Sequence, residues 1–222
     1  MLRLCRTLLA LAAAALSAAA WPQGDINAPY RNPDYGEWQR RFESSGREVY
    51  DKRHEIVAAT RAAPGMAVAD IGAGTGLFTL LFAEQLGEGG RVYAVDTARA
   101  FVFGILLRAR EAGHGNVTGV ESSQSEANLP PGSIDLAFIC DAYHHFEQPA
   151  AMLASIRRAL RAGGALVLVD YERIPGVTPE WLVNHVRAGK EVFRREIESA
   201  GFRFLEEAKL MRDNYFLRFA RD

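Results

Sequence analysis

The sequence predicts an α/β fold: a mostly parallel sheet with helices on both faces, finished at one edge by an antiparallel hairpin. Three observations predict it. From residue 66 onward, short apolar runs bounded by glycine or turn residues alternate with longer helical stretches. Two of these runs, 134–140 and 165–171, are apolar almost without interruption, as strands covered on both faces are. The chain then closes with two strand-like segments, 202–209 and 215–220, around Asp213-Asn214, a pair suited to a turn.

Taken in order, residues 1–20 stand apart. Arg3 and Arg6 precede a Leu/Ala run, and Ala18-Ala19-Ala20 offers a small-residue cleavage site. This reads as a secretory signal peptide, and its apolar run is short for a spanning helix. The expectation is a cleaved signal, a mature start near Trp21, a periplasmic or secreted protein and no stable membrane insertion afterwards. Residues 21–63 form a lead-in. The stretch 21–36 is rich in turn residues, whereas 37–62 is helical, anchored by Trp38, Phe42, Val49, Tyr50, Ile56 and Val57 and broken at Gly46. Residues 64–222 form the main domain. Strands are expected at 66–71, 91–96, 117–121, 134–140 and 165–171. Helices are expected at 77–86, 98–112 and 149–160, with one long helix over 179–200 stopped by Gly201.

Composition limits the possible partners. Apolar residues make up 49% and charged residues 24% of the 222, which is a globular balance and not a disordered one. The net charge of -1 creates no strong field, so nucleic acid is not an expected partner. Cys5 falls in the signal. Cys140 alone then remains, which excludes an internal disulfide and a thiol-rich metal site. Its strand setting suggests a small buried apolar residue.

The most informative run is Asp70-Ile71-Gly72-Ala73-Gly74-Thr75-Gly76. Glycines at 72, 74 and 76 allow a sharp turn at a strand end and close approach of backbone to a ligand. Ligands of open parallel sheets sit in that crevice. Asp96 ends the next strand, where a carboxylate accepts hydrogen bonds from ribose hydroxyls. Its alternative role is a helix cap, which Thr97 fills equally well. Nicotinamide enzymes carry a related loop, spaced G-x-G-x-x-G; here the spacing is G-x-G-x-G. Asp70 beside the loop would repel a pyrophosphate and would suit a cation such as the amino group of a methionine moiety. Both features favour S-adenosylmethionine over a dinucleotide.

At these residues the sequence resembles the class I S-adenosylmethionine-dependent methyltransferases, above all the small-molecule branch that includes quinone-ring methyltransferases. The loop, Val95-Asp96, the stretch 129–136, the run 141–146 and the stretch 161–166 carry the resemblance, which spans roughly residues 45–222. It implies a Rossmann-like methyltransferase fold, a sheet ordered 3-2-1-4-5-7-6 with strand 7 antiparallel, S-adenosylmethionine as cofactor and a small-molecule acceptor. It also implies that Asp70, Gly72 and Gly74 line the methionine end, that Asp96 holds the ribose, and that Asp141 lies near the sulfonium or the methionine amine. The family's usual acidic residue near the adenine is replaced by Ser125, with Glu126 beside it, so either residue is a candidate.

Methyl transfer needs in-line positioning and exclusion of water, and a base only where the acceptor must lose a proton. His144 and His145 follow the fourth strand, where the methyl group should be. By resemblance, His145 aligns with the single histidine of many relatives. Each is a candidate base or a loop-holding residue. Tyr171, ending the fifth strand, either touches substrate or packs. No metal site is expected, because adjacent histidines rarely converge on one ion and no third ligand is evident. His185, Arg187 and Lys190 on the long helix suit a solvated face better than a pocket wall. The aromatics Tyr30, Tyr35, Trp38, Phe42 and Tyr50, with Arg47, suit either a lid over the cofactor or a staple onto the sheet. Two rival functions remain: a non-catalytic protein that binds the same nucleoside, and a nicotinamide oxidoreductase.

Overall fold

The computed structural model describes residues 25–222. The expected signal peptide, with its cleavage site and Trp21, lies outside that range. Three short helices come first: α1 (Tyr35–Phe42), α2 (Glu48–Asp51) and α3 (Arg53–Ala59). The alternating part follows as β1 (Ala67–Ile71), α4 (Leu77–Leu86), β2 (Arg91–Asp96), α5 (Arg99–Glu111), β3 (Val117–Glu121), β4 (Ile134–Cys140), α6 (Pro149–Ala159) and β5 (Leu160–Tyr171). Two helices, α7 (Glu180–His185) and α8 (Lys190–Ser199), lead to the closing pair β6 (Phe202–Ala208) and β7 (Asn214–Arg221).

The seven strands lie in the order β3-β2-β1-β4-β5-β7-β6. All pairings are parallel except those of β7 with β5 and with β6. This is the Rossmann-like order implied by the resemblance. Side chains alternate between the two faces of each strand, so the sheet carries a core on each side. Val68, Phe138, Val167 and Phe216 meet Phe78 and Phe82 of α4 and Ile56 of α3. On the other face, Ile71, Ile139, Leu168 and Leu217 meet Leu153 and Ile156 of α6 and Phe193 of α8. Burying each large apolar side chain is worth about 1.5–3 kcal/mol. A one-residue slip would expose a whole face, so burial fixes the register. Among the described residues no helix is long and apolar enough to cross a membrane.

Three expectations are corrected. The helical lead-in is three pieces, because the chain also turns at Lys52, beyond the break around Gly46. The expected long helix is two, separated at 186–189. There Val186 and Gly189 are extended, glycine is a poor helix former, and the Arg187 guanidinium turns back to Glu196 at 2.7 Å. Strand β5 starts at Leu160, not at 165, because Leu160 pairs with Ile134 across a register shift.

This topology positions the site. From β1 the chain runs to β2 on one side, and β4 returns on the other. A crevice opens where the order reverses, at the carboxyl ends of β1 and β4.

Candidate functional site

The loop after β1 is held by backbone. Gly72 and Ala73 both donate N–H to the Val95 carbonyl, at 2.8 and 3.0 Å. Gly72 has φ +72°, and a Cβ there would lie 2.5 Å from the Ala142 Cβ. Only glycine lets the ends of β1 and β4 approach this closely. The space beside it is a cavity of about 390 Å³, within the range of small-molecule sites.

Its walls come mainly from seven places. The β1 end and loop give Asp70, Gly72 and Gly74; the β2 end gives Asp96; the segment after β3 gives Ser122, Ser123 and Gln124. The β4 end gives Cys140, Asp141, His144 and His145, and the β5 end gives Tyr171. The amino-terminal segment adds Asn27, Tyr30, Trp38, Phe42 and Arg47, while α7 adds Trp181, Leu182 and His185.

Two carboxyl groups set the electrostatics beside the glycine loop, while Arg31, Arg41 and Arg47 line the opposite part of the cavity. Asp70 is 3% exposed and accepts the Thr79 hydroxyl at 2.6 Å. Burial, reinforced by the nearby Asp96 charge, pushes it up to about 7. Asp96 accepts the Gly74 N–H through one oxygen and the Ala98 N–H through the other, each at 2.9 Å. Burial pushes it up to about 6 against these bonds. It therefore orients the glycine loop and the start of α5 together, and it keeps lone pairs for hydroxyls in the cavity. Both groups favour a cationic or hydroxyl-rich ligand there and disfavour an anionic one.

Asp141 sits at φ +47°. It accepts the Arg47 guanidinium at 2.6 Å and the Asn214 amide at 2.7 Å. Burial raises its pKa, opposed by the Arg47 charge. The Asp141 charge first, then burial, raises the Tyr171 phenol. Tyr171 thus keeps its proton at neutral pH and is not a base.

The amino-terminal segment both lines the cavity and is stapled down. Tyr35 donates its hydroxyl to the Thr75 carbonyl at 2.7 Å. Its ring occupies the gap at Gly104, where a Cβ would lie 2.2 Å from a ring carbon. Glu43 accepts two bonds from Arg108, at 2.6 and 2.7 Å, and one from the Thr75 hydroxyl at 2.9 Å. Tyr30 packs at a tilt against Trp38, centroids 4.6 Å apart, and meets His145 edge-on at 4.8 Å.

The histidines are oriented by buried acceptors. His144 donates Nδ1–H to Asp170 at 2.7 Å, with both side chains 1% exposed or less. Asp170 also accepts the backbone N–H of His144 and of Tyr171. Asn27 donates its amide to the His145 carbonyl and to Glu147, so its oxygen faces the His145 Nδ1 at 2.8 Å and accepts from it. Burial, then the charges of His144 and His185, lower His145 to about 2. A neutral His145 with its Nε2 lone pair free is a good ligand and a weak base.

Several expected site residues are placed differently. Ser125 and Glu126 do not reach the cavity. Glu126 is turned outward onto Arg158 at 2.6 and 2.9 Å, and Ser122, Ser123 and Gln124 form that wall instead. Gly76 starts α4 and packs against Ile105, off the wall. His185 is not on a solvated helix face but on the cavity wall, half-buried, because α7 folds over the crevice. One ring nitrogen each of His144, His145 and His185 lie within 4.8 Å of one another. The third potential ligand absent from the local sequence is therefore supplied by the fold. Sequence reasoning also missed Asn27, Glu43 and Arg108, whose partners lie far along the chain. Gly104 inside a helical run was a readable sign of close approach.

Residues 69–168 match the family described as "Methyltransferase domain". The ubiquinone/menaquinone biosynthesis C-methyltransferase UbiE of Shewanella frigidimarina is 31% identical over 130 residues, covering 58% of this chain and 51% of its own. The nocamycin O-methyltransferase of Saccharothrix syringae is 30% identical over 129 residues, covering 58% and 46%. The chain thus spans about half the length of these relatives. Among solved structures, a SAM-dependent methyltransferase from Aquifex aeolicus superposes with a TM-score of 0.76 at 19% identity, over 86% of this chain and 100% of the other. That likeness concerns the fold.

Proposed function

We propose that this chain is an S-adenosylmethionine-dependent methyltransferase acting on a small-molecule acceptor. The observation that carries the reading is the pair of buried carboxyl groups, Asp70 and Asp96, flanking a glycine loop at the switch point of the sheet. A dinucleotide would bring a pyrophosphate against two acidic groups, which is unfavourable. A sulfonium nucleoside brings an ammonium and a bare ribose, which is favourable. When bound, that nucleoside supplies an electrophilic methyl carbon. Asp96 would accept the ribose hydroxyls, and Asp70 the ammonium of the methionine moiety. Trp38, Phe42 and Leu182 present an apolar face to the acceptor, with the exposed Trp181 at its rim. Tyr171 holds its proton at the same wall.

We also propose that the protein is exported, on the strength of the basic, apolar and small-residue pattern of residues 1–20. Calorimetry with S-adenosylhomocysteine and with NAD tests the functional reading. Tighter binding of the former is expected, weakened at least about tenfold in Asp96→Ala by the loss of charge-assisted bonds. Tighter binding of NAD would support the oxidoreductase. Binding of the nucleoside without methyl transfer to any of a broad acceptor panel would support the non-catalytic binder.

A further inference from the structure

We propose that His144, His145 and His185 form a three-imidazole site for a divalent first-row transition cation of the zinc class, open on one side to the cavity. The three rings pack against one another, with centroids 4.2 Å apart for His144–His145 and 5.1 Å from each of these to His185. One ring nitrogen from each lies within 4.8 Å of the others.

Ring orientation supports ligation. His144 donates through Nδ1 to buried Asp170, and His145 donates through Nδ1 to an Asn27 oxygen whose own amide is pinned by two bonds. A metal-ligating histidine has this arrangement: the far nitrogen donates to a carboxylate or carbonyl, which fixes the tautomer and raises the basicity of the other. It leaves both Nε2 lone pairs without a protein donor among the described residues. The His185 ring makes no hydrogen bond there either. A cation placed among these nitrogens could be shared by all three rings.

The donor set selects the ion. Three neutral imidazoles suit zinc, copper, nickel or iron, whereas magnesium and calcium prefer oxygen. Three protein ligands with one open position is the pattern of sites that bind a further group. Tetrahedral geometry at about 2.0–2.1 Å from each nitrogen places the nitrogens roughly 3.4 Å apart. The observed span of up to 4.8 Å closes by rotation of His185, the last residue of α7 before the break at 186–189. If the methyltransferase reading holds, the open position faces the acceptor; the metal site itself does not depend on that reading.

The test uses the purified full chain, stripped with chelator and titrated with Co²⁺ alone. The expected result is one cobalt per chain, with visible d–d bands of a four- or five-coordinate nitrogen-ligated ion, displaced by stoichiometric Zn²⁺ and not by Mg²⁺. His185→Ala should abolish the bands and weaken binding on the order of 100-fold or more, and Asn27→Ala by about 10–100-fold. Because the half-buried His185 ring packs on two neighbours but holds no hydrogen bond, the metal-free His185→Ala protein should still melt in one cooperative transition, its melting temperature lowered only slightly. Absence of the bands, or bands unchanged in His185→Ala, would overturn the proposal. Calorimetry with S-adenosylhomocysteine on the same samples separates the two readings: cobalt bound without the nucleoside sinks the methyltransferase reading alone, and the nucleoside bound without cobalt sinks the metal site alone.

Discussion

Asp70→Asn should make the ligand-free protein more stable and its cofactor complex weaker. Asp70 is 3% exposed, its neighbour Asp96 is also acidic, and its one side-chain hydrogen bond comes from Thr79. Folding raises it from the ordinary value of 3.8 to about 7. Below about pH 4 the carboxyl is neutral whether folded or unfolded and costs nothing. The cost grows as pH rises and is complete above about pH 7, because only the unfolded chain ionises freely in between. That linkage gives roughly 1.5 kcal/mol at pH 5 and roughly 4 kcal/mol at pH 8. Asparagine keeps an acceptor for Thr79 and removes the charge. Asp96 is present in both proteins and cancels to first order. At about 2–4 °C per kcal/mol for a chain of this size, the gain in melting temperature should be about 5–10 °C larger at pH 8 than at pH 5. Melts of both proteins at the two pH values measure it. The cost to binding is the partner of the methionine ammonium, so affinity for S-adenosylhomocysteine should fall by about tenfold or more. An equal gain at both pH values would refute the buried-charge argument, and an unchanged affinity would refute the role in binding.

Other perturbations test the neighbouring contacts. Arg47→Ala strands the buried Asp141 charge and should cost about 3–5 kcal/mol in urea denaturation; adding Asp141→Asn should recover part of the loss, and no recovery would show that the ion pair is not the cause. Gly104→Ala drives a methyl group into the Tyr35 ring and should detach α1 from the loop, weakening nucleoside affinity while the sheet core still melts cooperatively; unchanged affinity would show that the amino-terminal segment is not part of the site. In chelator-treated, metal-free protein His145 is held neutral, so its contribution to stability is complete above about pH 6.5 and is lost as pH falls toward about 2. His145→Gln should therefore lose less stability than the parent between neutral pH and pH 4 in thermal melts, and an identical acid profile would place His145 in water.

The sheet was legible because burial is periodic and local. Helix 77–86 and strands 91–96, 117–121 and 134–140 coincide with the structure, since each is bounded by glycine or turn residues and filled by apolar side chains. The long helix at 179–200 was misread because its break depends on Arg187 reaching Glu196, a tertiary contact. The same contrast holds for the site. Asp70, Gly72, Gly74, Asp96 and Asp141 were readable from spacing to strand ends and line the cavity. Ser125 and Glu126, the expected adenine contacts, are not among the residues lining the cavity, because Arg158, far along the chain, holds Glu126 outward. His185 could not be paired with His144 and His145 from spacing, because only the path of α7 over the crevice brings it there. The amino-terminal aromatics were left between lid and staple; Tyr35, packed at Gly104, is a staple, while Trp38 and Phe42 line the cavity.

The central claim is that the crevice between the glycine loop and Asp96 is shaped for a sulfonium nucleoside with a free ribose. A crystal structure of the protein grown with S-adenosylhomocysteine tests it most directly. The account predicts both ribose hydroxyls within hydrogen-bond distance of the Asp96 carboxylate, the amino group facing Asp70, and the adenine against the 122–124 wall. The nucleoside bound elsewhere, or the crevice left open at saturating ligand, would contradict it.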